Sequence, residues 1–368
     1  MSKIGLVTIY QVPNYGSVLQ CYATQKVLTD LGHDCRIIRY KFPNEWHYRH
    51  GLKRGSSIKA FLRNLFPRKK AKVLNAFRNE KYHFTKKYNS LDDLYREDWS
   101  DYDCFITGSD QVWNTRFTYG DKFFLLDFVP NEKSKFAIAS SFASKHLPET
   151  FHNTFKNELS KFSAISIREN NGVSIIKNEL EIDKPIKVIL DPTLLLSKDE
   201  WLAMNKGLAT TPQRPYILFY MWAYAFEPRP YIYEVVRYFQ EKQNCDVIAL
   251  EGYEENTYTK SMGVLNRGNA SIEEFIDLFS KAEMVITSSF HGTAFALNFC
   301  KPLISIVPNK TEDDRQTTLI KALGLTGCIA RIGQSLDSLN PFYNEADEQA
   351  KLAELRADSI TWIKENIK

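Results

Sequence analysis

A histidine set among small polar residues is the side chain of this sequence best suited to acid–base chemistry. His291 follows an apolar run at 284–286 and precedes a short helical pattern at 294–299. An imidazole titrates near neutral pH, and the free N–H groups at a helix start attract anions. The alternative is a histidine that caps its helix and satisfies a buried carbonyl. The neighbours that could share its site are Ser288, Ser289, Gly292 and Thr293.

A second polar segment, residues 108–114, follows the apolar run 103–107. It combines a glycine turn with a carboxylate, amides and an indole, which is typical of a ligand-binding loop at a strand end. Asp110 could act as the base for a hydroxyl group, or it could orient that hydroxyl. In the alternative, the polar groups of the loop bond only to each other. The candidate residues are Gly108, Ser109, Asp110, Gln111, Trp113 and Asn114.

Two arginines could hold an anionic group. Arg168 ends the apolar run 164–168, and Arg315 lies near the start of a predicted helix at 313–323. The planar guanidinium binds a phosphate or carboxylate through two parallel hydrogen bonds. A salt bridge between Arg168 and Glu169, or another neighbour, is the alternative. Asp191, after the run 188–190, could bind substrate, although a capped turn is the favoured interpretation.

The N-terminal region reads as strand, helix and strand, at 3–10, 17–31 and 35–40. Its first turn brings a glycine and small polar groups to a helix start, where a phosphate or carboxylate could bind. The G-x-G-x-x-G fingerprint of dinucleotide-binding proteins is absent, and a plain tight turn is the alternative. The turn residues with ligand-binding potential are Asn14, Tyr15, Gly16 and Ser17, with Gln20 one turn further on.

These motifs lie in a chain of alternating strands and helices, which predicts an α/β protein with parallel sheets. We expect an N-terminal Rossmann-like domain at 1–195, with a basic helical insertion at about 41–100, and a second one at 196–345. A final helix at 346–368 could pack back on the first domain. Ligands of such folds bind at the carboxyl ends of the strands, where the motifs above are expected.

Composition narrows the class of protein. The chain has 368 residues, 43% hydrophobic and 25% charged, and a net charge of +4, so the whole chain is not a polyanion binder. No apolar run reaches the ~18 residues of a membrane span, and the N-terminus does not have the form of a signal peptide. Six scattered cysteines without a C-x-x-C pair predict reduced, mostly buried thiols. We therefore expect a soluble, cytoplasmic protein without a metal site.

Residues 49–87 form an unusually basic segment, with 13 Lys or Arg and one acidic residue, Glu80. Ile58, Phe61, Leu62, Leu65 and Phe66 fall at helical spacing within it. A basic amphipathic helix can lie on anionic lipid, with Arg68, Lys69 and Lys70 among the contacting cations. It can equally be a solvated helix packed on the sheet. Nucleic-acid binding is not expected, because no recognisable module accompanies the charge.

Five motifs occur in the order found in one enzyme family. They are Asn14-Tyr15-Gly16-Ser17-Val18-Leu19-Gln20, Gly108-Ser109-Asp110-Gln111-Val112-Trp113-Asn114, Ser166-Ile167-Arg168-Glu169, Asp191-Pro192-Thr193-Leu194 and Ser289-Phe290-His291-Gly292. Together they resemble the polysaccharide pyruvyl transferase family, over about residues 4–325. Each motif alone is weak, but five in the same order make the resemblance specific.

The resemblance implies two Rossmann-like domains facing a cleft, in a GT-B-like arrangement. It implies phosphoenolpyruvate as co-substrate, a sugar of a polysaccharide or of its lipid-linked precursor as acceptor, and no further cofactor. His291 and Asp110 are then the catalytic candidates. The donor would be bound by Arg168, Arg315, Ser288, Ser289, Gly292 and Thr293. The acceptor would lie against Asn14, Tyr15, Gly16, Ser17, Gln20, Gly108, Ser109, Gln111, Trp113 and Asn114.

One departure from the family pattern affects the donor. Many members carry an arginine two residues before the histidine, where this chain has Ser289. Other cations must then bind the anionic groups of the donor, with Arg168 the first candidate and Arg315 the next. Two alternative functions stay open: a GT-B glycosyltransferase that uses a sugar nucleotide, and a non-catalytic saccharide-binding protein.

Overall fold

The computed structural model describes residues 1–42, 69–204, 212, 214–223, 225–310 and 312–368. The chain divides into two compact units. Unit 1 comprises Met1–Leu195 and Ala357–Lys368, and unit 2 comprises Leu196–Arg356. Among the described residues, no helix is long and apolar enough to cross a membrane.

Unit 1 is built on a parallel sheet that has seven strands within the described residues, in the order β3-β2-β1-β4-β5-β6-β7. The strands are β1 (Lys3–Val7), β2 (Asp34–Tyr40), β3 (Phe84–Tyr88), β4 (Cys104–Thr107), β5 (Ser134–Ser140), β6 (Ala164–Ile167) and β7 (Ile186–Val188). The helices are α1 (Tyr15–Asp30), α2 (Lys69–Lys81), α3 (Leu91–Tyr95), α4 (Thr115–Thr118), α5 (His152–Leu159), α6 (Asn170–Ser174) and α7 (Pro192–Leu195), with a π-helical turn at Ile175–Glu179. The central strands are buried on both faces, as expected for a parallel sheet covered by helices.

Unit 2 repeats this plan with six parallel strands within its described residues, in the order β10-β9-β8-β11-β12-β13. The strands are β8 (Tyr216–Tyr220), β9 (Asp246–Glu251), β10 (Leu265–Asn266), β11 (Met284–Thr287), β12 (Leu303–Val307) and β13 (Ile329–Arg331). The helices are α8 (Lys198–Leu202), α9 (Tyr231–Gln243), α10 (Thr257–Ser261), α11 (Ile272–Lys281), α12 (Phe290–Asn298) and α13 (Arg315–Ala322). The last helix, α14 (Glu345–Asn366), begins in unit 2 and ends in unit 1.

Strand order identifies the place in each unit where ligands are expected. Each sheet first grows outward from its first strand and then resumes on that strand's other side. The direction therefore reverses between β1 and β4 in unit 1, and between β8 and β11 in unit 2. In open α/β sheets, ligands bind at the carboxyl ends of the strands at this switch point. The prediction of two Rossmann-like α/β domains is confirmed.

One part of the predicted helical insertion is wrong. Residues 84–88 form β3, which pairs with β2 in parallel and lies at the sheet edge. Lys86 and Lys87 are exposed there, and lysines are common on edge strands because they discourage pairing with other chains. Their charge hid the strand in the sequence. Residues 43–68, which include the apolar positions of the expected amphipathic helix, lie outside the described residues.

All six cysteines are free thiols, as the sequence predicts, and Cys300 alone among them is half-buried rather than buried. Burial raises the pKa of the Cys21 thiol to about 12, so this side chain stays neutral and behaves as a small apolar group. The same cause raises the pKa of Cys104 to about 12. These thiols therefore belong to the core of unit 1.

An aromatic cluster in unit 2 holds the helix that carries His291. Phe295, on α12, is buried and packs against Trp201, Phe275 and Phe279, with ring centroids 5.1 to 5.7 Å apart. Three elements, α8, α11 and α12, meet at this cluster. Its packing therefore sets the position of α12 on the sheet.

We expect Phe295→Ala to lower the free energy of unfolding of unit 2 by about 3–5 kcal/mol, because a large buried ring is replaced by a cavity. Chemical denaturation followed by circular dichroism measures the change. Phe342→Ala is the matched control, since Phe342 is 60% exposed. Equal stability of the two variants would contradict the anchoring role of Phe295.

Candidate active site

The loop after β4 is joined to the start of α1 by a short, buried contact. Ser17 Oγ donates a hydrogen bond to Asp110 Oδ2 over 2.6 Å, and both residues are buried. Asn14 is the N-cap of α1, and its side chain accepts from the Ser17 N–H at 3.1 Å. The two sequence motifs that contain these residues are therefore neighbours at the switch point of unit 1.

Asp110 has a backbone conformation that is unfavourable for most residues. Its φ is +71°, in the left-handed region that Asp tolerates better than bulkier side chains. The carboxylate Oδ1 also accepts from the N–H of Gln111 at 2.9 Å. Strained residues of this kind cluster at functional sites, where the surrounding structure holds them in place.

Two residues predicted to contact the acceptor are buried and bonded to neighbours within unit 1. Trp113 is 1% exposed, lies in the core of unit 1, and donates from Nε1 to the Phe124 carbonyl at 3.2 Å. Gln20 is fully buried and donates from Nε2 to the carbonyls of Ile9 and Ser17 at 3.0 Å. Their side chains fix the loop and the turn, and the acceptor role of both stays a prediction.

The remaining loop residues cap and connect elements of unit 1. Asn114 is the N-cap of α4, where its side chain accepts from the N–H of Arg116, and its Nδ2 donates to Gln111 Oε1 at 2.7 Å. Tyr15 is fully buried as the first residue of α1, and Gly16 is buried beside it. Gly108 follows β4, and a Cβ there would lie 3.2 Å from Leu6 and Thr8 side-chain atoms. A side chain at this position would therefore fit tightly against its neighbours.

A buried ion pair links the ends of three strands in unit 1. Arg168 Nη1 donates to Asp191 Oδ2 at 2.6 Å, and its Nη2 lies 3.5 Å from Asp110 Oδ1. Ser109 Oγ donates to the same Asp191 oxygen at 2.7 Å. The other Asp191 oxygen accepts from the N–H and hydroxyl of Thr193. Asp191 therefore caps this turn, as predicted. The salt-bridge alternative for Arg168 is therefore what the geometry shows, with Asp191 rather than Glu169 as partner.

This polar edge of unit 1 carries more carboxylates than cations. Glu169 is fully buried, and its Oε1 accepts from the backbone N–H groups of Phe142 and Ala143 at 2.8 and 3.2 Å. Asp110 and Asp191 are two further buried carboxylates, and both lie within 3.5 Å of the Arg168 guanidinium. Carboxylates accept hydrogen bonds from hydroxyl groups and repel phosphates. The cluster therefore offers acceptors for hydrogen-bond donors.

In unit 2, serine and threonine hydroxyls join β11 to β8 at the switch point. Thr287 Oγ1 donates to the Tyr220 carbonyl at 2.6 Å. Ser288 Oγ donates to the Trp222 carbonyl at 2.7 Å and accepts from its N–H at 2.9 Å. Ser289 is the N-cap of α12, where its side chain accepts from the Gly292 N–H at 3.4 Å. The hydroxyls predicted to bind the donor therefore also shape the loop.

His291 is the second residue of α12, directly after this loop, and it is 6% exposed. Ser289, and not His291, is the N-cap of the helix, so the capping part of the alternative for His291 is wrong. The centroids of the His291 and Phe290 rings are 5.2 Å apart. Phe290 also contacts Arg315, whose guanidinium lies 5.7 Å from the Phe290 ring centroid. An imidazole is thus held at the carboxyl end of β11, as predicted.

The other two donor candidates in unit 2 are engaged by neighbours. Arg315 Nε donates to Asp313 Oδ1 at 2.8 Å and Nη2 to Oδ2 at 2.5 Å, a bidentate pair beside α12. Thr293 Oγ1 donates to the Ser289 carbonyl at 3.0 Å and lies 2.9 Å from Ser305 Oγ. Gln316, which the sequence did not single out, donates to Ser305 Oγ at 2.7 Å. A glutamine that follows an arginine in a polar helix gives no signal of this contact.

An open cavity of about 610 Å³ also occurs in unit 1. None of the side chains predicted to take part in chemistry lines it. Glu179 organises one wall, since it accepts from His146 Nδ1 at 2.8 Å and from the Leu147 N–H at 2.9 Å.

Among the described residues, no three His, Cys, Asp or Glu side chains are grouped so that they could hold a metal ion.

Comparison with known proteins supports the resemblance and the fold. The family model for "Polysaccharide pyruvyl transferase" matches residues 14–310. A search of curated proteins gave no match. Three solved structures of low sequence identity show the fold alone, which is GT-B-like.

The first is the UDP-GlcNAc 2-epimerase of Neisseria meningitidis bound to UDP-GlcNAc, which is 11% identical with a TM-score of 0.54, covering 98% of this chain and 93% of that one. The epimerase of Methanocaldococcus jannaschii is 13% identical with a TM-score of 0.51, covering 96% and 98%. Arabidopsis thaliana UGT89C1 complexed with UDP is 11% identical with a TM-score of 0.51, covering 97% and 94%.

The close approach of α12 to β11 predicts the effect of a single methyl group. A Cβ at Gly292 would lie 2.2 Å from Thr287 Oγ1 and 2.7 Å from Tyr220 Cδ1. We expect Gly292→Ala to lower the free energy of unfolding by about 1–3 kcal/mol, as overpacked positions do. Urea denaturation of the purified variant measures it. The control is Gly327→Ala, where the added Cβ would lie 3.9 Å from Asn340 O, its nearest neighbour. Equal losses of unfolding free energy in the two variants would contradict the close packing at Gly292.

Proposed function

Because the chain belongs to the polysaccharide pyruvyl transferase family, we propose that it transfers the pyruvyl group of phosphoenolpyruvate to a sugar. Two hydroxyls of the sugar would form a cyclic ketal with the carbon that carried the phosphate. The sugar would belong to a polysaccharide or to its lipid-linked precursor, at the cytoplasmic face of a membrane. The observation that carries this proposal is the position of His291, buried at the switch point of unit 2 in a helix capped by another residue.

The reaction is balanced without an oxidant or reductant. A proton adds to C3 of phosphoenolpyruvate, so that C2 becomes electrophilic and accepts a first sugar oxygen. The C2–O bond to phosphate then breaks, and a second sugar oxygen takes its place at C2. Of the two hydroxyl protons, one is balanced by the new methyl group and the other leaves with phosphate. The steps need a general acid, a base for the hydroxyls and cations for the phosphate and carboxylate.

We assign proton transfer to the donor to His291. We assign binding of the sugar hydroxyl to Asp110. An imidazole titrates near the working pH, which favours a group that must both give and take a proton. Asp110 has a strained backbone and a carboxylate bonded to Ser17 Oγ, so it is preorganised to accept from a hydroxyl. It acts either as the base or as the group that orients the sugar.

Arg168 and Arg315 remain the donor candidates named from sequence, but each is paired with a carboxylate, Asp191 and Asp313 respectively. A paired guanidinium still donates from its other N–H groups, although much of its charge is neutralised. Sugar-nucleotide glycosyl transfer and saccharide binding without turnover remain the alternatives. Glycosyl transfer predicts that phosphoenolpyruvate is not used. Saccharide binding without turnover predicts that replacing His291 does not weaken saccharide binding.

The test supplies purified protein with phosphoenolpyruvate and a panel of sugar acceptors, and measures acceptor-dependent phosphate release. We expect release, and we expect His291→Ala to reduce it by about 10²- to 10⁴-fold, the usual contribution of a general acid or base. His146→Ala is the matched control, because the His146 side chain is 70% exposed.

Near-native turnover of His291→Ala would contradict the assignment of proton transfer to His291. Transfer from a sugar nucleotide, with no phosphate release from phosphoenolpyruvate, would replace the proposed reaction by glycosyl transfer.

A lipid-linked acceptor predicts peripheral contact through the basic segment 49–87. In the described part of that segment, Lys69 and Lys72 are exposed on α2, whereas Lys70 is half-buried. We expect salt-sensitive co-sedimentation with anionic vesicles, weakened by Lys69→Glu with Lys72→Glu, since each cation near such a surface contributes roughly 1 kcal/mol. Lys351→Glu with Lys364→Glu, on α14, gives the same change in net charge. Equal binding by both double variants, or none at low salt, would contradict the contact.

A further inference from the structure

The end of β5 and the residues after it, 139–143, form a strained segment. Ala139 and Ala143 have φ values of +49° and +48°, in the left-handed region that is costly for alanine. The register between β5 and β6 also shifts between Ala137 and Ser140, where β5 has one residue more than its partner. Bulges of this kind re-aim the residues that follow and are frequent beside active sites. Such a backbone persists only where neighbouring groups hold it.

The first left-handed alanine is held by a serine of β6. Ser166 Oγ accepts from the Ala139 N–H at 3.2 Å and donates to the Ala137 carbonyl at 2.8 Å. The side chain therefore bridges the bulge, and it satisfies one donor and one acceptor that the shifted ladder leaves over. Ser166 is fully buried, so water does not compete for either bond.

The second left-handed alanine is held by a glutamate three residues further on. Glu169 Oε1 accepts from two successive backbone N–H groups, those of Phe142 at 2.8 Å and Ala143 at 3.2 Å. Glu169 is fully buried, and hydrogen bonds to an ionised carboxylate are stronger than those between neutral groups. The motif 166–169 thus fixes the strained segment at both of its left-handed residues.

The same segment is bonded to the loop that carries Asp110. Asp110 and Ser140 form an isolated parallel bridge, and Ser140 Oγ donates to the Gly108 carbonyl at 3.0 Å. Further along, the Trp113 N–H donates to the Ser141 carbonyl at 3.1 Å. The loop at 108–113 therefore rests on the strained segment at three places. Asp110, with its own left-handed backbone, lies between the first and the last of them.

We propose that Glu169 is a positioning residue for Asp110. Its carboxylate holds residues 142 and 143, the strained segment holds the loop at 108–113, and that loop sets the direction of the Asp110 carboxylate. The inference rests on the proposed function, in which Asp110 binds the hydroxyl of the acceptor. Ser166 acts in the same way at the bulge, so the serine and the glutamate of the motif 166–169 serve the acceptor side of the reaction.

The first test measures amide hydrogen exchange by mass spectrometry, with β1 and β2 as the internal reference. We expect Glu169→Ala to lower the protection of residues 108–114, relative to that reference, by about 10- to 100-fold, the range for losing hydrogen bonds to a charged group. Glu169→Gln keeps a carbonyl oxygen that can accept from the two N–H groups, so it should lower the protection less than alanine does.

Glu158→Ala is the matched control. Glu158 is another buried glutamate of unit 1, 7% exposed, but it lies on α5 and accepts from Lys161 Nζ at 2.8 Å. Its loss should leave the protection of 108–114 unchanged relative to β1 and β2. Ser166→Ala provides a second variant, with a smaller change at a buried site, if Glu169→Ala does not fold. It should also lower the protection of 108–114.

Turnover separates positioning from a loss of folded protein. Loss of folded protein lowers the maximal rate and leaves both KM values as they are. We expect Glu169→Ala to lower kcat/KM for the acceptor by about 10- to 100-fold, the usual effect of a displaced catalytic group, with an unchanged KM for phosphoenolpyruvate. Glu169→Gln should recover most of this loss, and Glu158→Ala should keep native kinetics per folded molecule.

Unchanged protection of 108–114 in both Glu169→Ala and Ser166→Ala would overturn the inference. So would equal losses of protection in Glu169→Ala and Glu158→Ala, or a lower maximal rate of Glu169→Ala with both KM values unchanged. The exchange measurement needs no substrate. The expected exchange in a protein without pyruvyl transfer would therefore reject the proposed function and leave the positioning of Asp110 by Glu169 in place.

Discussion

The buried pair of Arg168 and Asp191 is the constraint on which the polar edge of unit 1 depends. Both side chains are almost fully buried, and their 2.6 Å contact joins the segments after β6 and β7. Burying two charges costs several kcal/mol unless the remaining polar atoms are satisfied. Ser109 and Thr193 supply those hydrogen bonds to Asp191, and Ser109 also ties the segment after β4 to the pair. The backbone at Asp110, one residue further on, is consequently held in its left-handed conformation.

Unit 2 reaches the same preorganisation by other means. No charge is needed to hold β11 beside β8, because the hydroxyls of Thr287 and Ser288 donate to the carbonyls of Tyr220 and Trp222. Each bond is modest, but all of them lie at the point where the strand order reverses. The absence of a side chain at Gly292 then allows α12 to begin directly on the end of β11. The imidazole of His291 is placed by backbone geometry, whereas the carboxylate of Asp110 is placed by an electrostatic network.

The sequence predicts the strand ends that carry the candidate residues, but not the partners of those residues. Buried parallel strands are continuous apolar runs, so β4, β6 and β11 and the polar segments after them could be predicted from pattern alone. The partners of those polar side chains could not. Arg168 and Asp191 are 23 residues apart, and Ser17 and Asp110 are 93 residues apart, and no local pattern reports such pairing. The burial of Trp113 in the core could not be predicted for the same reason: the indole follows a polar loop, and its core neighbours lie elsewhere in the sequence. β3 was hidden because its edge position favours lysine.

The first turn of α1 contacts a carboxylate through one residue and an ammonium group through another. Successive helical residues are rotated by about 100°, so residues two positions apart point to nearly opposite sides of the axis. Ser17 faces the loop after β4 and bonds to Asp110, whereas Tyr15 faces α2 and is covered by Lys70. The helix itself therefore lies between the carboxylate and the ammonium. Arg168, in contrast, shares one side with Asp110 and Asp191, and its charge is used to hold the fold together.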